Sequence, residues 1–240
     1  MIQAKNIIKD FGKLRVLNQI NLTCKKGECI ALIGPNGCGK TTLIKSILGM
    51  VIPNSGEITF EGKSIKNDFK YRNHIGYMPQ IGRYPDNMKV GQIIDMIKNI
   101  RNSHSQPDED LYKLFKLESI SNKRMRTLSG GTTQKVSATL AFLFNPDVLI
   151  LDEPTAGLDP LASEILKEKI IAERNKGKLI LITSHLLSEL DDLISEIVFM
   201  QEGQVKFHKT IEDLRESTHE ERISKAIANI LKNQNNEQDH

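Results

Sequence analysis

The sequence contains little cysteine and few aromatic residues: among 240 residues there are 3 cysteines, no tryptophan and 5% aromatic residues. An odd, small number of cysteines argues against a disulfide-framed secreted domain and is typical of a reducing cytosol. No run approaches the roughly 18 apolar residues of a membrane-spanning helix. The first residues also lack the charged-then-apolar order of a signal peptide. We therefore expect a soluble, intracellular protein.

The chain also lacks an excess of either charge. It has 33 basic and 30 acidic residues, a formal net charge of +3, with 39% hydrophobic and 26% charged residues overall. This composition is close to the globular average and excludes a disordered or collagen-like chain. Because nucleic-acid binding usually requires a strongly basic face, we expect no nucleic-acid partner. The length suits one large α/β domain.

Short apolar runs indicate strands at Cys29–Ile33, 148–151 and Leu179–Thr183, with helical patterns between several of the predicted strands. Strands that alternate with helices predict a mainly parallel sheet covered by helices. The first sixty residues and the segment 204–208 have shorter, turn-linked strand patterns. We expect them to form an antiparallel β flank beside the parallel core.

Residues from about 83 to 135 have a different texture. Val90–Arg101 and residues 109–117 carry apolar side chains at helical spacing, with no strand-like run between them. This pattern predicts an α-helical lobe inserted into the core. We expect residues 1–215 to form the main domain, and residues 216–240 to add an amphipathic helix and a polar tail.

A glycine-rich loop follows the predicted strand at Cys29–Ile33. Gly34-Pro35-Asn36-Gly37-Cys38-Gly39-Lys40-Thr41 fits the pattern G-x-x-x-x-G-K-[ST], and a helical pattern begins at Thr42. In this context the backbone N–H groups and the helix dipole bind phosphate oxygens, Lys40 reaches the β- and γ-phosphates, and Thr41 ligates Mg²⁺. The candidate ATP-binding residues here are Gly34, Asn36, Gly37, Cys38, Gly39, Lys40, Thr41 and Thr42.

Two carboxylates follow the apolar run at 148–151. A buried parallel strand delivers the residues at its C-terminal end to the ligand crevice, so Asp152 is a candidate for the Mg²⁺ shell. Glu153 points elsewhere because successive strand residues alternate, and it is a candidate for polarising the attacking water. Further along, Asp159-Pro160 predicts a helix start with aspartate as the cap, and Gly177 predicts its end.

Between these two motifs lies Leu128-Ser129-Gly130-Gly131-Thr132-Thr133-Gln134, which is similar to the LSGGQ signature of ABC ATPases. The resemblance also includes Gln80, Leu158-Asp159 and His185, in the order typical of the family. It covers nearly all of the chain up to about residue 215. It implies the α/β ABC ATPase fold, in which a RecA-like P-loop core carries an antiparallel β flank and an inserted α-helical lobe. It also implies hydrolysis of ATP, with ATP and Mg²⁺ as cofactors.

The resemblance implies roles for several single residues. Phe11 resembles the aromatic residue that stacks on adenine, with Val16 beside it; its alternative is a core position. Gln80 resembles the glutamine that contacts Mg²⁺ and the attacking water, and a polar loop residue is the alternative. Glu153 would be the general base. His185 resembles the switch histidine at the γ-phosphate, and a structural histidine is the alternative.

The signature also implies a second copy of the chain. Ser129 is a natural helix cap, and Gly130 and Gly131 leave backbone N–H groups at a helix N-terminus, which makes an anion site. In ABC ATPases this site faces the ATP of the other subunit, and Asp159 belongs to the loop that crosses to that subunit. We expect a homodimer around two ATP molecules, although Thr132 replaces the usual glutamine.

The type of ABC protein follows from chain organisation. Only 48 residues separate Gln80 from Ser129 (129 − 80 − 1), too few for the coiled coil typical of soluble ABC ATPases. We therefore expect the motor subunit of a transporter, at the cytoplasmic face of the membrane, with a separate permease that contacts the chain between Gln80 and Asp86. A soluble non-transport ABC ATPase and a non-enzymatic module are the alternatives.

Residues 80–88 and 131–138 are similar to the ATPase subunit of the copper-type ABC transporter that matures nitrous oxide reductase. That resemblance implies copper or sulfur-related cargo and a periplasmic accessory protein reached through the complex. An ABC-2-type exporter of another cargo is the alternative. The residues themselves show no copper site, because Cys24 and Cys29 do not form a closed metal site and no histidines cluster.

Overall fold

A computed structural model describes residues 1–101, 106–185 and 190–238, with side chains up to Leu231. The chain forms two compact units. Met1–Lys66 and the C-terminal part from Thr183 form the first unit, and Asn67–Ile182 forms the second. In the parts of the chain that the structure describes, none of the helices is long and apolar enough to cross a lipid bilayer.

The secondary structure mixes strands and helices along the whole chain. The described strands are β1 (Ile2–Phe11), β2 (Leu14–Cys24), β3 (Cys29–Ile33), β4 (Ser55–Phe60), β5 (Lys63–Ser64), β6 (Ile75–Met78), β7 (Val148–Asp152), β8 (Leu179–Thr183), β9 (Glu196–Gln201) and β10 (Gln204–Thr210). The described α-helices are α1 (Lys40–Ile47), α2 (Val90–Arg101), α3 (Asp110–Leu114), α4 (Gly130–Phe142), α5 (Pro160–Asn175), α6 (Ile211–Thr218) and α7 (Ile223–Gln238). Short 3₁₀ turns lie at Lys70–His74, Leu117–Ile120 and Met125–Thr127.

The first unit contains two groups of strands. An antiparallel sheet has the order β2-β1-β4-β5, and β3 pairs parallel with β9, which pairs antiparallel with β10. The antiparallel flank expected from the sequence is therefore present. However, β10 does not belong to that flank: a tight turn returns it beside β9, so the position expected for residues 204–208 was wrong.

Strand β1 interrupts its own alternation, and this explains why the bounds of this strand were not predicted within the antiparallel flank. Asn6 has a left-handed backbone conformation (φ 50°), and the pairing with β2 changes register between Ala4 and Ile7. Ile2, Ala4 and Ile7 are nevertheless buried. Such bulges shift the side chains that follow to the other face, so the period of two is lost in the sequence.

In the second unit, the strands have the order β8-β7-β6. β6 and β7 are parallel, with Met78 opposite Leu151. Every residue of β7 is buried, as expected for a strand covered on both faces. Helix α2 has the predicted bounds, but the helix predicted over 109–117 was too long. Helix α3 ends at Leu114, because Lys116 adopts the left-handed conformation (φ 54°) and starts a 3₁₀ turn.

Helix α5 begins and ends as the sequence predicts. Asp159 is its N-cap and accepts a hydrogen bond from the Ala162 amide (2.9 Å), and Pro160 occupies the first helical position. Gly177, with φ 82°, follows the last turn. At the C-terminus of the chain, Ile223, Ala226 and Ile227 of α7 are buried in the first unit, and Asp239 and His240 lie outside the described residues.

Candidate functional site

The glycine-rich loop forms a turn around its own lysine. The Lys40 Nζ donates to the carbonyl oxygens of Gly34 (2.7 Å) and Pro35 (3.1 Å), and the Lys40 side chain is buried. Gly39 is the N-cap of α1, in the left-handed conformation, and supplies no side-chain cap. The first amides of α1 therefore receive no bond from a capping side chain, and a buried cation lies beside them. Both features favour an anion.

Close packing explains two of the loop glycines. A methyl group built on Gly34 would lie 2.0 Å from the Met200 carbonyl oxygen, and one on Gly39 would lie 2.8 Å from that of Val16. Both residues also have φ values in the left-handed region. The backbone of the loop is thus held against β9 and β2, independently of any ligand.

The other residues of the glycine-rich loop and the first turn of α1 differ in their exposure to solvent. Asn36, Gly37 and Thr41 are exposed and Thr42 is half-buried, so these positions are accessible to a ligand. Cys38 is buried, with its Sγ 3.8 Å from the Lys40 Nζ. Its thiol therefore lies under the loop, and of Cys38 only the backbone is a candidate for contact with phosphate.

Phe11 lies at the end of β1, where the chain turns into β2. Its side chain is 50% exposed, so the alternative of a core position is wrong. The Lys9 Nζ lies 5.1 Å from the centre of the Phe11 ring, a cation–π distance. Val16, half-buried on β2, has its carbonyl oxygen close to Gly39. Phe11 is therefore available for stacking, while Val16 contacts the loop through its backbone.

The acidic pair lies at the carboxyl end of β7, in the second unit. Asp152 is buried, and burial together with this carboxylate raises the pKa of the nearby Tyr77 hydroxyl. Glu153 has a left-handed backbone (φ 51°), a strained conformation that directs it away from the strand line. The Glu153 carbonyl accepts a hydrogen bond from the Gln134 Nε2 (3.3 Å).

Gln80 lies two residues beyond β6 and is exposed. Because Met78 is opposite Leu151 in a parallel pair, β6 and β7 end at the same edge of the sheet. The structure thus brings Gln80, Asp152 and Glu153 to one edge of the second unit. His185, exposed, follows β8 and belongs to the first unit.

The signature residues form the N-terminus of helix α4. Ser129 is the N-cap, as predicted, and its Oγ accepts a hydrogen bond from the Thr132 amide (3.3 Å). Ser129 and Gly130 are exposed, and a methyl group on Gly130 would meet only open space. On Gly131, by contrast, a methyl group would lie 2.4 Å from the Gly157 carbonyl oxygen. Gly130 therefore leaves room for a ligand, and Gly131 permits close packing.

Thr132, the departure from the usual signature, takes part in the cap. Its Oγ1 lies 2.8 Å from the Ser129 Oγ, at hydrogen-bond distance. The next residue, Thr133, bonds through its hydroxyl to the Ser129 carbonyl (3.2 Å). A short side chain at position 132 thus holds the Ser129 hydroxyl directly.

The Asp159 carboxylate accepts hydrogen bonds within its own chain, and the bond from Lys135 was not predicted from the sequence. Its Oδ2 accepts from the Lys135 Nζ (2.6 Å), and this bond, with that from the Ala162 amide, lowers the pKa of the Asp159 carboxyl. Lys135 and Gln134 were therefore missed as residues that connect α4 to Asp159 and Glu153. Their sequence signal is their place at the end of the signature segment, where Gln134 is its last residue and Lys135 follows it.

Metal-binding chemistry is limited in the protein itself. Among the residues that the structure describes, no three His, Cys, Asp or Glu side chains are grouped closely enough to hold a metal ion. Burial raises the pKa of the Cys24 thiol to about 12, which keeps it protonated and a poor ligand.

A phosphate-binding loop before a helix, an acidic strand end and a glycine-rich helix cap together define a P-loop nucleotide-binding protein. The family described as ABC transporter matches residues 17–156, more than half of the chain. The chain belongs to this family. It is an ATP-binding subunit with ATPase activity, and its cofactors are ATP and Mg²⁺.

Named relatives agree with this family. The lantibiotic transport ATP-binding protein SrtF of Streptococcus pyogenes is 35% identical over 214 residues, which cover 87% of this chain and 90% of that protein. The Nod factor export ATP-binding protein I of Burkholderia lata is 33% identical over 208 residues, 85% of this chain and 68% of that protein. The two names refer to different cargoes, so they do not assign one to this chain.

Solved structures confirm the expected fold. An ATP-binding subunit of an ABC transporter superposes with a TM-score of 0.84 at 29% identity, covering 90% of this chain and 92% of that one. A dimeric ATP-binding cassette with ADP and phosphate superposes with a TM-score of 0.78 at 22% identity, covering 88% and 98%. The prediction of an α/β ABC ATPase fold with parallel and antiparallel strands is therefore confirmed.

Proposed function

We propose that two copies of this chain close around two Mg-ATP molecules and drive a separate membrane permease. The observation that supports this most is the exposed N-terminus of α4 at Ser129 and Gly130. It offers a cap hydroxyl and backbone N–H groups to an anion, while the buried lysine of the P-loop belongs to the first unit. A second phosphate contact supplied by a partner copy would complete such a site.

The residues present fit a magnesium ion bound with nucleotide. Thr41 offers an exposed hydroxyl, Gln80 an amide oxygen and Asp152 a carboxylate, all of them the hard oxygen donors that Mg²⁺ prefers. When bound, the ion would neutralise negative charge on the phosphates. Thr41, Gln80 and Asp152 are therefore the residues that would hold it.

The chain's own residues then have distinct tasks. Lys40 and the amides of Gly34, Asn36, Gly37, Cys38, Gly39, Thr41 and Thr42 bind the phosphates, and Phe11 with Val16 binds the adenine. Glu153 accepts a proton from the attacking water, and its φ of 51° separates it from Asp152. Gln80 and His185 position the water and the γ-phosphate. Ser129, Gly130, Gly131 and Asp159 act across the dimer.

The permease would dock on the segment from Gln80 to Asp86. Ile81 is 69% exposed there and Arg83 is exposed beside it, an apolar side chain next to a cationic one. Contact with membrane subunits would place the chain at the cytoplasmic face of the membrane. We also propose that residues 1–215 are the ATP-binding cassette, that about 83–135 form its helical lobe, and that residues 216–240 are a C-terminal addition.

The variant Glu153→Gln tests the proposed dimer and the base together. We expect ATP hydrolysis to fall by about 10²–10⁴-fold, because a positioned base contributes that much. We also expect Mg-ATP to convert the variant to a stable dimer in size-exclusion chromatography with light scattering. The exposed Glu118→Gln is the matched control and should behave as the unsubstituted chain. A Glu153→Gln variant with full turnover would disprove the role of the base, and one that stays monomeric with bound ATP would disprove the dimer.

For the cargo, we propose the copper- or sulfur-related system that assembles the metal centre of nitrous oxide reductase. The support is the similarity of residues 80–88 and 131–138 to that group. The tagged chain, purified from detergent-solubilised native membranes, should bring down a multi-span permease and a periplasmic maturation protein. A permease with other neighbours would instead favour an ABC-2-type exporter of another cargo. Ribosomes or DNA-repair proteins without a permease would contradict the transporter itself.

A further inference from the structure

Two segments that are far apart in sequence contact each other in the second unit. One is residues 80–88, which include the docking segment Gln80–Asp86, and the other is the first part of α4, residues 131–138. The Tyr84 hydroxyl lies 2.7 Å from the Ser137 Oγ, and Ser137 is only 1% exposed. A methyl group on Gly82 would lie 2.3 Å from the same Ser137 Oγ. The docking segment is therefore packed closely on α4.

The same helix carries two other connections on neighbouring residues. Gln134 bonds to the carbonyl of Glu153, and Lys135 forms an ion pair with Asp159. Ser129 and Gly130 at the helix N-terminus are exposed. One rigid helix thus joins the proposed phosphate contact, the backbone of the proposed base and the docking segment. A displacement of the α4 N-terminus would therefore also move the backbone of the proposed base and the docking segment.

We propose that the hydrogen bond between Tyr84 and Ser137 couples the docking segment to the signature helix, so that ATP closure at Ser129 moves residues 81–86. This inference rests on the proposed ATP-bound dimer and adds to it two positioning residues. Neither Tyr84 nor Ser137 is among the proposed ATP-binding residues. The bond is between two neutral hydroxyl groups in a part-buried place, where little water competes for them.

The test measures amide hydrogen exchange of the full-length chain with Glu153→Gln, which holds ATP without hydrolysing it. Four versions are compared with and without Mg-ATP: no further change, Tyr84→Phe, Ser137→Ala, and the double variant that carries both changes. Tyr84→Phe keeps the ring and removes only the hydroxyl, and Ser137→Ala removes the other partner. Their melting temperatures in the absence of nucleotide report whether either change alters folding.

In the chain without a further change, Mg-ATP should slow exchange at both 129–135 and 81–88. In Tyr84→Phe and in Ser137→Ala the response at 129–135 should remain. The response at 81–88 should shrink by about fivefold, the effect of losing one ordinary hydrogen bond. The double variant should add nothing, because both changes remove the same bond.

The failures are distinguishable. An undiminished response at 81–88 in both single variants would overturn the coupling and leave the ATP-bound dimer intact. Absence of any response at 129–135 in the chain without further change would overturn the dimer and the coupling together. As a second measurement, Ser137→Ala in the otherwise natural chain should keep basal ATP hydrolysis within about twofold, since Ser137 contacts no nucleotide. A larger loss would also contradict a purely positioning role.

Discussion

Glycines lie at the N-termini of both helices α1 and α4, yet the two helix ends offer an anion different groups. At α1, the buried Lys40 lies beside its own loop, bonded to Gly34 and Pro35, and no side chain caps the helix. At α4, Ser129 caps the helix, the neighbouring glycine is exposed, and the nearby Lys135 is paired with Asp159. The first end carries its own cation for a phosphate, whereas the second offers only dipoles. The α1 end is therefore suited to bind ATP within a single chain. The α4 end is suited to add a second phosphate contact when the proposed dimer forms.

The strongest way to break this comparison is to remove the cation at α1. Lys40→Ala should weaken ATP binding to the single chain by about 100-fold, because losing a buried charged partner costs on the order of 3 kcal/mol. Isothermal titration calorimetry of the chain with Mg-ATP measures this. Lys45→Ala, on the exposed side of the same helix, should leave the affinity unchanged.

Ser129→Ala in the same assay sharpens the comparison. If α4 acts only in the dimer, this variant should bind ATP as tightly as the unsubstituted monomer does. A loss at Ser129→Ala as large as that at Lys40→Ala would show that both helix ends contact the same nucleotide in one chain.

The two glycines at the start of α4 differ in the space around them: Gly131 is closely packed, and Gly130 is open. Gly131→Ala should lower the stability by about 2 kcal/mol, because its methyl group would overlap the Gly157 carbonyl oxygen. That loss corresponds to a fall in Tm of roughly 4–8 °C for a chain of this length. Gly130→Ala has open space and should not lower the Tm. Thermal unfolding followed by circular dichroism measures both, and equal falls would contradict the packing described for Gly131.

The elements that the sequence predicts well are those whose causes are local. The strand before the P-loop, the start of α5 at Asp159-Pro160 and the cap at Ser129 each depend on residues a few positions apart. The bounds of the bulged strand β1 were missed because Asn6 interrupts its alternation. The pairing of β10 with β9 was also missed, although it has a local cause: Glu202 and Gly203 form a two-residue turn with positive φ angles, which favours a hairpin.

The candidate site shows the same difference between features with local causes and features that depend on tertiary packing. Candidate residues within one motif, such as Gly34 to Thr42, can be read from spacing. The contacts of Lys135 with Asp159 and of Tyr84 with Ser137 join residues 24 and 53 positions apart, and they depend on tertiary packing. A single sequence therefore shows which side chains carry chemistry more readily than it shows how they are connected.

Salt bridges to Glu173 stabilise the second unit at the C-terminal end of α5, so the stability should depend on pH. Burial alone would raise the pKa of Glu173, but bonds from Lys176 and Lys178 lower it to about 2. Its contribution to stability is therefore complete above the unfolded pKa of 4.5 and is lost as the pH falls from 4.5 toward 2. Glu173→Gln should lower the Tm at pH 7 by roughly 3–4 °C.

The pH series separates this ion pair from a general packing defect. The Tm difference between Glu173→Gln and the unsubstituted chain should shrink as the pH is lowered from 7 to 3, because below pH 4.5 the unfolded chain takes up a proton at Glu173 and the folded chain, with its lowered pKa, does not. Glu168→Gln, exposed on the same helix, should show no difference at any pH. A Tm difference at Glu173 that stays constant with pH would show that its charge does not matter.

The smallest effect concerns Thr132, which holds the hydroxyl that α4 would present to a phosphate. Thr132→Val removes the bond to the Ser129 Oγ and keeps the shape, so the Ser129 hydroxyl loses its fixed orientation. In the Glu153→Gln background, the ATP concentration that half-saturates dimerisation should rise about fivefold, the worth of one hydrogen bond. Thr132→Ser retains the hydroxyl and should dimerise as the parent does, with light scattering as the measurement. A shift in Thr132→Ser with none in Thr132→Val would mean that the methyl group, and not the hydroxyl, matters at this position. The α4 end would then depend on packing rather than on an oriented dipole, and its contrast with the charged α1 end would be greater still.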